Sequence, residues 1–389
     1  MINNTKRKRI VLLIALLLMA SMALSGCSGK SDSGTVVNTN IPESTTEIQE
    51  TEVPVTEFPA TDVPDEFYET REYSFLDNKD RFKILGRFSE TNKGVTCDWS
   101  AAGFAVNAYC RGDVILKLTQ SGSCYLTVFI DGIKQEGDIL ARANTVIAEG
   151  LEPGYHLIEV FRQSEVRQGL LVLKSLSVEG ELLEAPADKS VRLVFIGDSI
   201  SSGYGTNPKT QTGMEDHVDA TLAYPFLTAR ALDSDFEIDA VIGIGLVKGY
   251  VTETMGDIFP LTDYYRSRKT QYTCDKRTDA VIINLGTNDA THSADTAKFR
   301  EAVKALVYSV REMYGDDVPI IWVYNSMRAD YSKNTLKAIE ELQNEGVNIA
   351  GEKFTMDASA YGHPGVKAHE NDAAQLVNLL RNQYGIGKN

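Results

Sequence analysis

Basic residues, histidine, tryptophan and cysteine are all scarce in this chain of 389 residues, and each shortage narrows what it can do. Thirty-nine Lys and Arg stand against 54 Asp and Glu, a formal charge of −15. So acidic a chain repels nucleic acid phosphates and anionic lipid, which leaves neutral polymers and small neutral esters as ligands without penalty. Five Cys are present, and no two have zinc-ligand spacing. Metal chemistry is not expected and no cofactor is implied. Cys97, Cys110, Cys124 and Cys274 are too few for a disulfide framework, and their pairing is not readable. With five histidines, a general base must be one of His156, His217, His292, His363 and His369. The apolar run at residues 10–24 is too short for a spanning helix.

That run follows Lys6, Arg7, Lys8 and Arg9, the order of a secretory signal peptide. It ends in Leu24-Ser25-Gly26-Cys27, which resembles a bacterial lipobox, so cleavage before Cys27 and lipidation of its thiol are expected. A thioether-linked diacylglycerol holds far better than one acyl chain. The expected location is the extracellular face of a bacterial cell membrane, touched only through this lipid anchor. Loss of the four basic residues with residues 1–26 takes the formal charge to about −19. Residues 27–67 then read as the lipidated Cys and a disordered tether, because their Ser, Thr, Glu and Pro cannot bury enough surface to fold.

Residues 68–186 read as β. In SCYLTVFIDGIKQEG, Leu126, Val128 and Ile130 alternate up to Asp131-Gly132, a hairpin signal. GFAVNAYCRGDVILKLTQSG is expected to give two strands parted at Arg111-Gly112-Asp113, and GLEPGYHLIEVFRQ a Pro-Gly turn and one more strand. Short strands without a helical period imply a β-sandwich or jelly roll, with Trp99 in its core. From 187 to 389 the pattern changes. Strand-like RLVFIG, IDAVIGIG, DAVIINLG and PIIWVYN alternate with helical runs, and in one of these Phe299, Val303, Leu306, Val307 and Val310 recur at helical spacing. This predicts an α/β domain with a parallel sheet covered on both faces, whose ligands bind at the carboxyl ends of the strands.

The candidate chemistry sits at those ends. Ser199 follows the first strand in FIGDSISSGYG, Gly243 and Gly245 end the second, and Asn288 follows the third. His363 precedes Pro364, which places it at the start of the last helix, after a final sheet element EKFTMD. A serine hydroxyl attacks a carbonyl only when a base takes its proton, and histidine is the usual base. The N–H groups of Ser199 and Gly243 and the Asn288 amide would stabilise the oxyanion, and losing one such donor costs roughly 3 kcal/mol in the barrier. Gly245 rivals Gly243 in the same turn. Asp198 reads equally as a helix cap or a member of the site, and Asn288 also suits an ordinary turn. His369 is read as structural, or as the base in place of His363. His156, His217 and His292 are unassigned surface or loop residues. Tyr204, Tyr250, Tyr361 and Trp322 are candidates to stack on sugar rings, against ordinary places in the core.

GDS, a Gly after the next strand, GTND and HP, in that order, resemble the SGNH (GDSL) hydrolases. GRF, IDG, GLEPGYHLIEV and the run into VRLVFIGDSISSGYG resemble carbohydrate esterase family 2. The resemblance covers nearly all of the chain after the tether. It implies a flavodoxin-like SGNH hydrolase domain with a parallel sheet, preceded by an all-β jelly-roll domain. It also implies Ser199 as nucleophile, His363 as base, and Gly243 and Asn288 as oxyanion donors. The activity implied is removal of O-acetyl groups from polysaccharide of xylan, mannan or glucan type through an acetyl-enzyme. One departure stands out. The family commonly carries an Asp two or three residues before the His, where this chain has Tyr361 and Ala360. Asp357 is the nearest acid. Either it orients the imidazole or a backbone carbonyl does, in a Ser–His dyad of the kind some members use; the dyad is the preferred reading.

The expected partner is an acetylated polysaccharide or oligosaccharide, met by a monomer. Three alternatives stay open. The first is a glycan-binding surface lipoprotein with an inactive site, favoured only by the missing acid. The second is a lysophospholipase or thioesterase, whose long apolar groove the loops do not suggest. The third is a peptidoglycan O-acetyl esterase.

Overall fold

A computed structural model describes residues 65–206, 218–264, 270–327, 331–355, 358–360 and 362–387. Cys27 and residues 28–64 of the expected tether, and Asp357, Tyr361 and His217 among the candidate residues, lie outside the described residues; residues 65–67, expected in the tether, belong to a short 3-10 turn, Asp65–Tyr68.

The first half is antiparallel. Its strands are β1 (Thr70–Ser74), β2 (Lys83–Leu85), β3 (Ser89–Thr91), β4 (Gly94–Cys97), β5 (Gly103–Gly122), β6 (Tyr125–Ile130), β7 (Ile133–Lys134), β8 (Ile139–Leu140), β9 (Asn144–Arg162) and β10 (Gly169–Leu182). The main order is β3-β4-β10-β5-β9-β6-β7, with β1 on β10, β2 on β5 and β8 on β6. The expected hairpin joins β6 to β7: Asp131 and Gly132 both have positive φ, 53° and 82°, which two-residue turns demand. Two expected breaks are corrected. β5 runs unbroken through Arg111-Gly112-Asp113, and β9 through Pro153-Gly154. The reason is that each is the other's partner, so their turn residues face one another and are absorbed as bulges. Cys110 pairs Gly154, Gly112 pairs Leu151 and Val114 pairs Ala148, with a register shift at each step. Bulges bend strands without ending them. Trp99 is buried in this half, as expected. Cys97, Cys110 and Cys124 are buried free thiols and Cys274 is a half-buried one.

The second half is a parallel sheet of β11 (Val191–Gly197), β12 (Ser234–Ala240), β13 (Ala280–Asn284), β14 (Ile320–Tyr324) and β15 (Ile349–Lys353), in the order β12-β11-β13-β14-β15. Its helices are α1 (Tyr224–Ala231), α2 (Met255–Ile258), α3 (Thr287–Thr291), α4 (Thr296–Tyr314), α5 (Ser332–Asn344) and α6 (Val366–Gln383). A short ribbon of β16 (Ala358–Ala360) and β17 (His363–Pro364) precedes α6. Alternate strand residues face opposite layers. Val194, Ile196, Val281 and Ile283 pack under α4 and α5, while Leu193, Phe195 and Ile282 pack under α1 and α6. The five expected apolar positions of α4 are all buried, each contributing about 1.5–3 kcal/mol.

The second strand lies earlier than expected, over SDFEIDA rather than IDAVIGIG. It carries three acids, yet every residue is buried. Lys83 reaches Asp235 at 2.6 Å, Arg192 reaches Glu237 at 2.6 Å, and Arg87 reaches Glu237 at 2.9 Å and Asp239 at 2.6 Å. Burial alone would raise the Glu237 pKa, but Arg87 and Arg192 outweigh it and hold the carboxyl below its ordinary value. Two of these cations, Lys83 and Arg87, come from the β-domain, which therefore covers the edge of the parallel sheet.

Candidate active site

The first parallel strand ends in a turn that only glycine permits. A Cβ on Gly197 would fall 2.0 Å from Ser201 Oγ. Asp198 Oδ1 accepts the Ile200 N–H at 3.0 Å and its carbonyl accepts the Ser202 N–H at 3.1 Å, so the chain coils at once. This presents Ser199, 4% exposed, with Oγ 2.9 Å from His363 Nε2. His363 is not at a helix start as expected. It lies in β17, paired with Ala360 of β16, and α6 begins only at Val366 behind its N-cap Gly365. Pro364, pairing with Ala358, belongs to the ribbon rather than to the first turn of the helix.

The second and third strand ends are tied to this pair and to each other. Asn288 Nδ2 donates to Ile244 O at 2.7 Å and to Asp198 Oδ2 at 3.2 Å. Asp198 is thus both things the sequence allowed, a cap on the serine turn and a partner of Asn288. Complete burial pushes its carboxyl pKa up to about 7; the Ile200 N–H opposes this and the charge of Asp289 adds to it. Asp289, which the sequence places beside Asn288 past the third strand without a role, makes three contacts here. Its Oδ2 accepts the Leu246 N–H at 2.8 Å, and its Oδ1 accepts those of Val247 at 2.7 Å and Lys248 at 3.0 Å. One buried carboxylate therefore braces the whole glycine turn. The last letter of GTND was the signal available.

Within that turn the two glycines differ. Gly243 has φ +80°, and a Cβ there would press on Tyr250 Cβ at 2.9 Å, on the open side. A Cβ on Gly245 would lie 1.9 Å from Lys248 O and 3.0 Å from Asp289 Oδ2, inside the turn. A Cβ at Gly243 would thus meet an exposed side chain, and one at Gly245 the backbone of the turn itself.

The remaining candidates separate cleanly. His369 is buried, accepts the Tyr224 N–H on Nδ1 at 3.2 Å, and burial with the nearby His363 pushes its pKa down to about 3. It is structural, and it is not the histidine on Ser199. Trp322 is corrected: it is 0% exposed, and its indole donates to Leu285 O at 3.3 Å. It sits on β14, flanked by β13 and β15 and roofed by helices, so no sugar reaches it. Tyr204 stands edge-on to the His363 ring, centroids 4.6 Å apart. Tyr250, 71% exposed, stands edge-on to His292 at 4.4 Å. His292 Nδ1 lies 2.9 Å from Asn288 O, while His156 lies on β9 of the β-domain, beside Asp131.

A doubly wound sheet whose carboxyl edge gathers a serine, a glycine turn, an asparagine and a histidine defines the SGNH class of fold. Residues 195–379 match the GDSL-like lipase/acylhydrolase family, and residues 84–186 match the carbohydrate esterase 2 N-terminal family. The chain thus carries a GDSL-like lipase/acylhydrolase domain and, ahead of it, a carbohydrate esterase 2 N-terminal domain. It is 27% identical over 325 residues to the cellulase/esterase CelE of Acetivibrio thermocellus, covering 77% of this chain and 39% of that protein. It therefore spans well under half of CelE. It is 26% identical over 271 residues to an acetylxylan esterase / glucomannan deacetylase of Cellvibrio japonicus, covering 61% and 72%. A family two carbohydrate esterase from Clostridium thermocellum, solved with cellohexaose, superposes with a TM-score of 0.72 at 25% identity, covering 78% of this chain and 99% of that one. An acetyl xylan esterase from Butyrivibrio proteoclasticus shares the fold, with a TM-score of 0.72 at 20% identity over 82% and 100%.

Proposed function

We propose that the protein is a serine carbohydrate esterase that removes O-acetyl groups from a neutral polysaccharide of xylan, mannan or glucan type. The observation that carries this reading is the 2.9 Å contact between Ser199 Oγ and His363 Nε2 at the carboxyl edge of the sheet. Ser199 attacks the acetyl carbonyl as its proton passes to His363. The imidazole returns that proton to the departing sugar oxygen, leaving an acetyl-enzyme. A water deprotonated by His363 then releases acetate. The N–H groups of Ser199 and Gly243 and the Asn288 amide hold the oxyanion; the 3.2 Å contact from Asn288 to Asp198 is the longer of its two and the one an oxyanion competes for. The imidazole is oriented by a backbone carbonyl in a dyad, with Asp357 as the alternative orienting acid.

Relatives named as acetylxylan esterases and glucomannan deacetylases support the substrate class. The cellohexaose complex of the Clostridium thermocellum esterase supports a glucan-like ligand, and exposed Tyr250 beside Gly243 supports stacking on it. Anchoring through Cys27 at the outer face of a bacterial membrane, and action as a monomer, belong to the same reading.

The test is acetate release from 4-nitrophenyl acetate, acetylated xylan and acetylated glucomannan by the wild type, Ser199→Ala and Asp357→Ala. Ser199→Ala is expected to lose at least about 10³-fold in kcat. Turnover largely kept in Asp357→Ala supports the dyad, and a matching collapse makes Asp357 the orienting acid. A folded wild type that releases no acetate yet is retained on insoluble glycan would sink the esterase in favour of a binding protein. Cys27→Ala should move the protein out of the membrane fraction.

A further inference from the structure

The hairpin turned by Asp131-Gly132 reaches from the β-domain to the neighbourhood of the nucleophile. It is fixed at its turn: Asp131 Oδ1 accepts the Leu157 N–H at 2.8 Å, and Oδ2 lies 2.8 Å from His156 Nδ1. Its second strand ends in Lys134, whose Nζ donates to Asp219 Oδ2 and to Thr221 Oγ1, both at 3.1 Å. Two more bonds cross the same boundary. Ala220 N–H donates to Gln163 O at 3.0 Å, and Thr221 Oγ1 donates to Thr127 Oγ1 at 3.4 Å. Residues 219–221 are thus docked onto the β-domain by a buried carboxylate and its neighbours.

That docked segment holds the turn that follows Ser199. Val218 bridges Tyr204 in antiparallel register. Thr206 Oγ1 accepts the Asp219 N–H at 2.9 Å and lies 2.6 Å from Gly203 O. Gly203, at φ +83°, approaches so closely that a Cβ would fall 2.6 Å from Asp219 O. Tyr204, the residue between these contacts, is the one whose ring meets the His363 imidazole, with planes 70° apart. A continuous path of contacts therefore runs from Lys134 through Asp219 and the Tyr204 turn to the base.

We propose that Lys134 and Asp219 are positioning residues for His363, and that the β-domain hairpin fixes the wall against which the imidazole is held. The kinetic consequence rests on the esterase reading; the structural consequence does not. Releasing Asp219 frees the Tyr204 turn and widens the range of imidazole orientations, and a reacting group misplaced by about 1 Å costs up to about 10²-fold. Lys134→Arg keeps a cation within reach of Asp219 and should preserve the wall.

The experiment compares wild type, Lys134→Met, Lys134→Arg, Tyr204→Leu and the double variant Lys134→Met/Tyr204→Leu. Two readouts are taken: kcat and KM on acetylated xylan, and the NMR signal of the His363 imidazole, assigned by its loss in His363→Gln. Lys134→Met is expected to lower kcat about tenfold with KM kept within about twofold, and to move the His363 signal. Lys134→Arg should restore both. With Tyr204 already replaced, Lys134→Met should add little, because both act through one contact. An unmoved His363 signal in Lys134→Met overturns the proposal, and so does full additivity in the double variant. If Lys134→Met does not fold, Asp219→Asn, which keeps the shape and removes the charge, is judged by the same two readouts. A wild type that releases no acetate removes the esterase reading alone, since the imidazole signal still decides the role of Lys134.

Discussion

Replacing Asp289 by Asn separates a turn residue from a brace. Its carboxylate accepts three backbone N–H groups, from Leu246, Val247 and Lys248, at 2.7 to 3.0 Å and out of contact with water. An amide has only one acceptor oxygen. Seated with that oxygen toward Val247 and Lys248, it turns its NH2 on the Leu246 N–H. One bond to a charged acceptor is lost and two become neutral. Bonds to charged groups contribute about 1.5–3 kcal/mol and neutral ones about 1, so the loss comes to about 2.5–7 kcal/mol before the turn relaxes. That relaxation is the functional event. Gly243 lies three residues before Leu246, and its carbonyl accepts the Tyr250 N–H at 2.7 Å, closing the same loop. A shift at 246–248 is therefore carried to Gly243, the proposed oxyanion donor. Removing such a donor costs about 10²–10³ in kcat, and displacing it should cost about 10², with KM changed less than about threefold. The assay is acetate release from 4-nitrophenyl acetate and acetylated xylan, beside calorimetric melting, at a temperature where the variant is folded. A folded Asp289→Asn protein that keeps kcat within about threefold of wild type refutes the brace.

Three further outcomes follow from the same contacts. Arg87→Ala strips Asp239 of its cation and leaves Glu237 with Arg192 alone; breaking such a buried pair should cost about 3–5 kcal/mol and lower Tm by about 10 °C, and a loss under about 1 kcal/mol in thermal unfolding would count against the cluster. Asp198 has its folded pKa raised from 3.8 to about 7, so its contribution to stability is complete below about pH 4 and is lost as pH rises through 7, by about 4 kcal/mol at most. Asp198→Asn should therefore lose less Tm than wild type between pH 5 and pH 8, and identical pH slopes would show that Asp198 does not titrate there. Tyr250→Ala should raise KM on acetylated glucomannan about three- to tenfold, the worth of one aromatic stack, with a smaller effect on 4-nitrophenyl acetate; equal effects on both substrates would remove it as a sugar platform.

Much of the site was legible because its groups follow different strands of a parallel sheet, and the carboxyl edge of such a sheet is one place in space. Ser199, Gly243 and Asn288 could be brought together from order alone. What order cannot supply is the use of a side chain after its backbone has turned. Asp289 reads as turn chemistry in GTND, and only the approach of residues 246–248 makes it a brace. Trp322 reads as an aromatic near a strand end, but β14 is an inner strand with helices on both faces, where Ile320, Ile321, Trp322 and Val323 are all buried. Arg111-Gly112-Asp113 reads as a break, but β9 offers a partner on both sides of it, and a bulge is cheaper than ending two strands.

The displaced second strand teaches something about the boundary at residues 186 and 187. Asp235, Glu237 and Asp239 alternate with Phe236, Ile238 and Ala240, the pattern of a strand with one wet face, whereas the expected run from Ile238 holds a single acid and is otherwise apolar or glycine. The pattern is truthful about polarity and misleading about water. The polar face meets Lys83 and Arg87 of the β-domain and Arg192 of the neighbouring strand, so charge is answered by charge inside the molecule. An edge strand bearing three acids has no such answer within the parallel sheet beyond Arg192. The composition change at 186 and 187 therefore marks where the chain passes from one architecture to another, and it does not mark a line along which the molecule can be divided. The β-domain neutralises the edge of the catalytic sheet through Arg87 and Lys83, and through Lys134 it reaches the segment beside the nucleophile. Both contacts tie the β-domain to the domain of the parallel sheet.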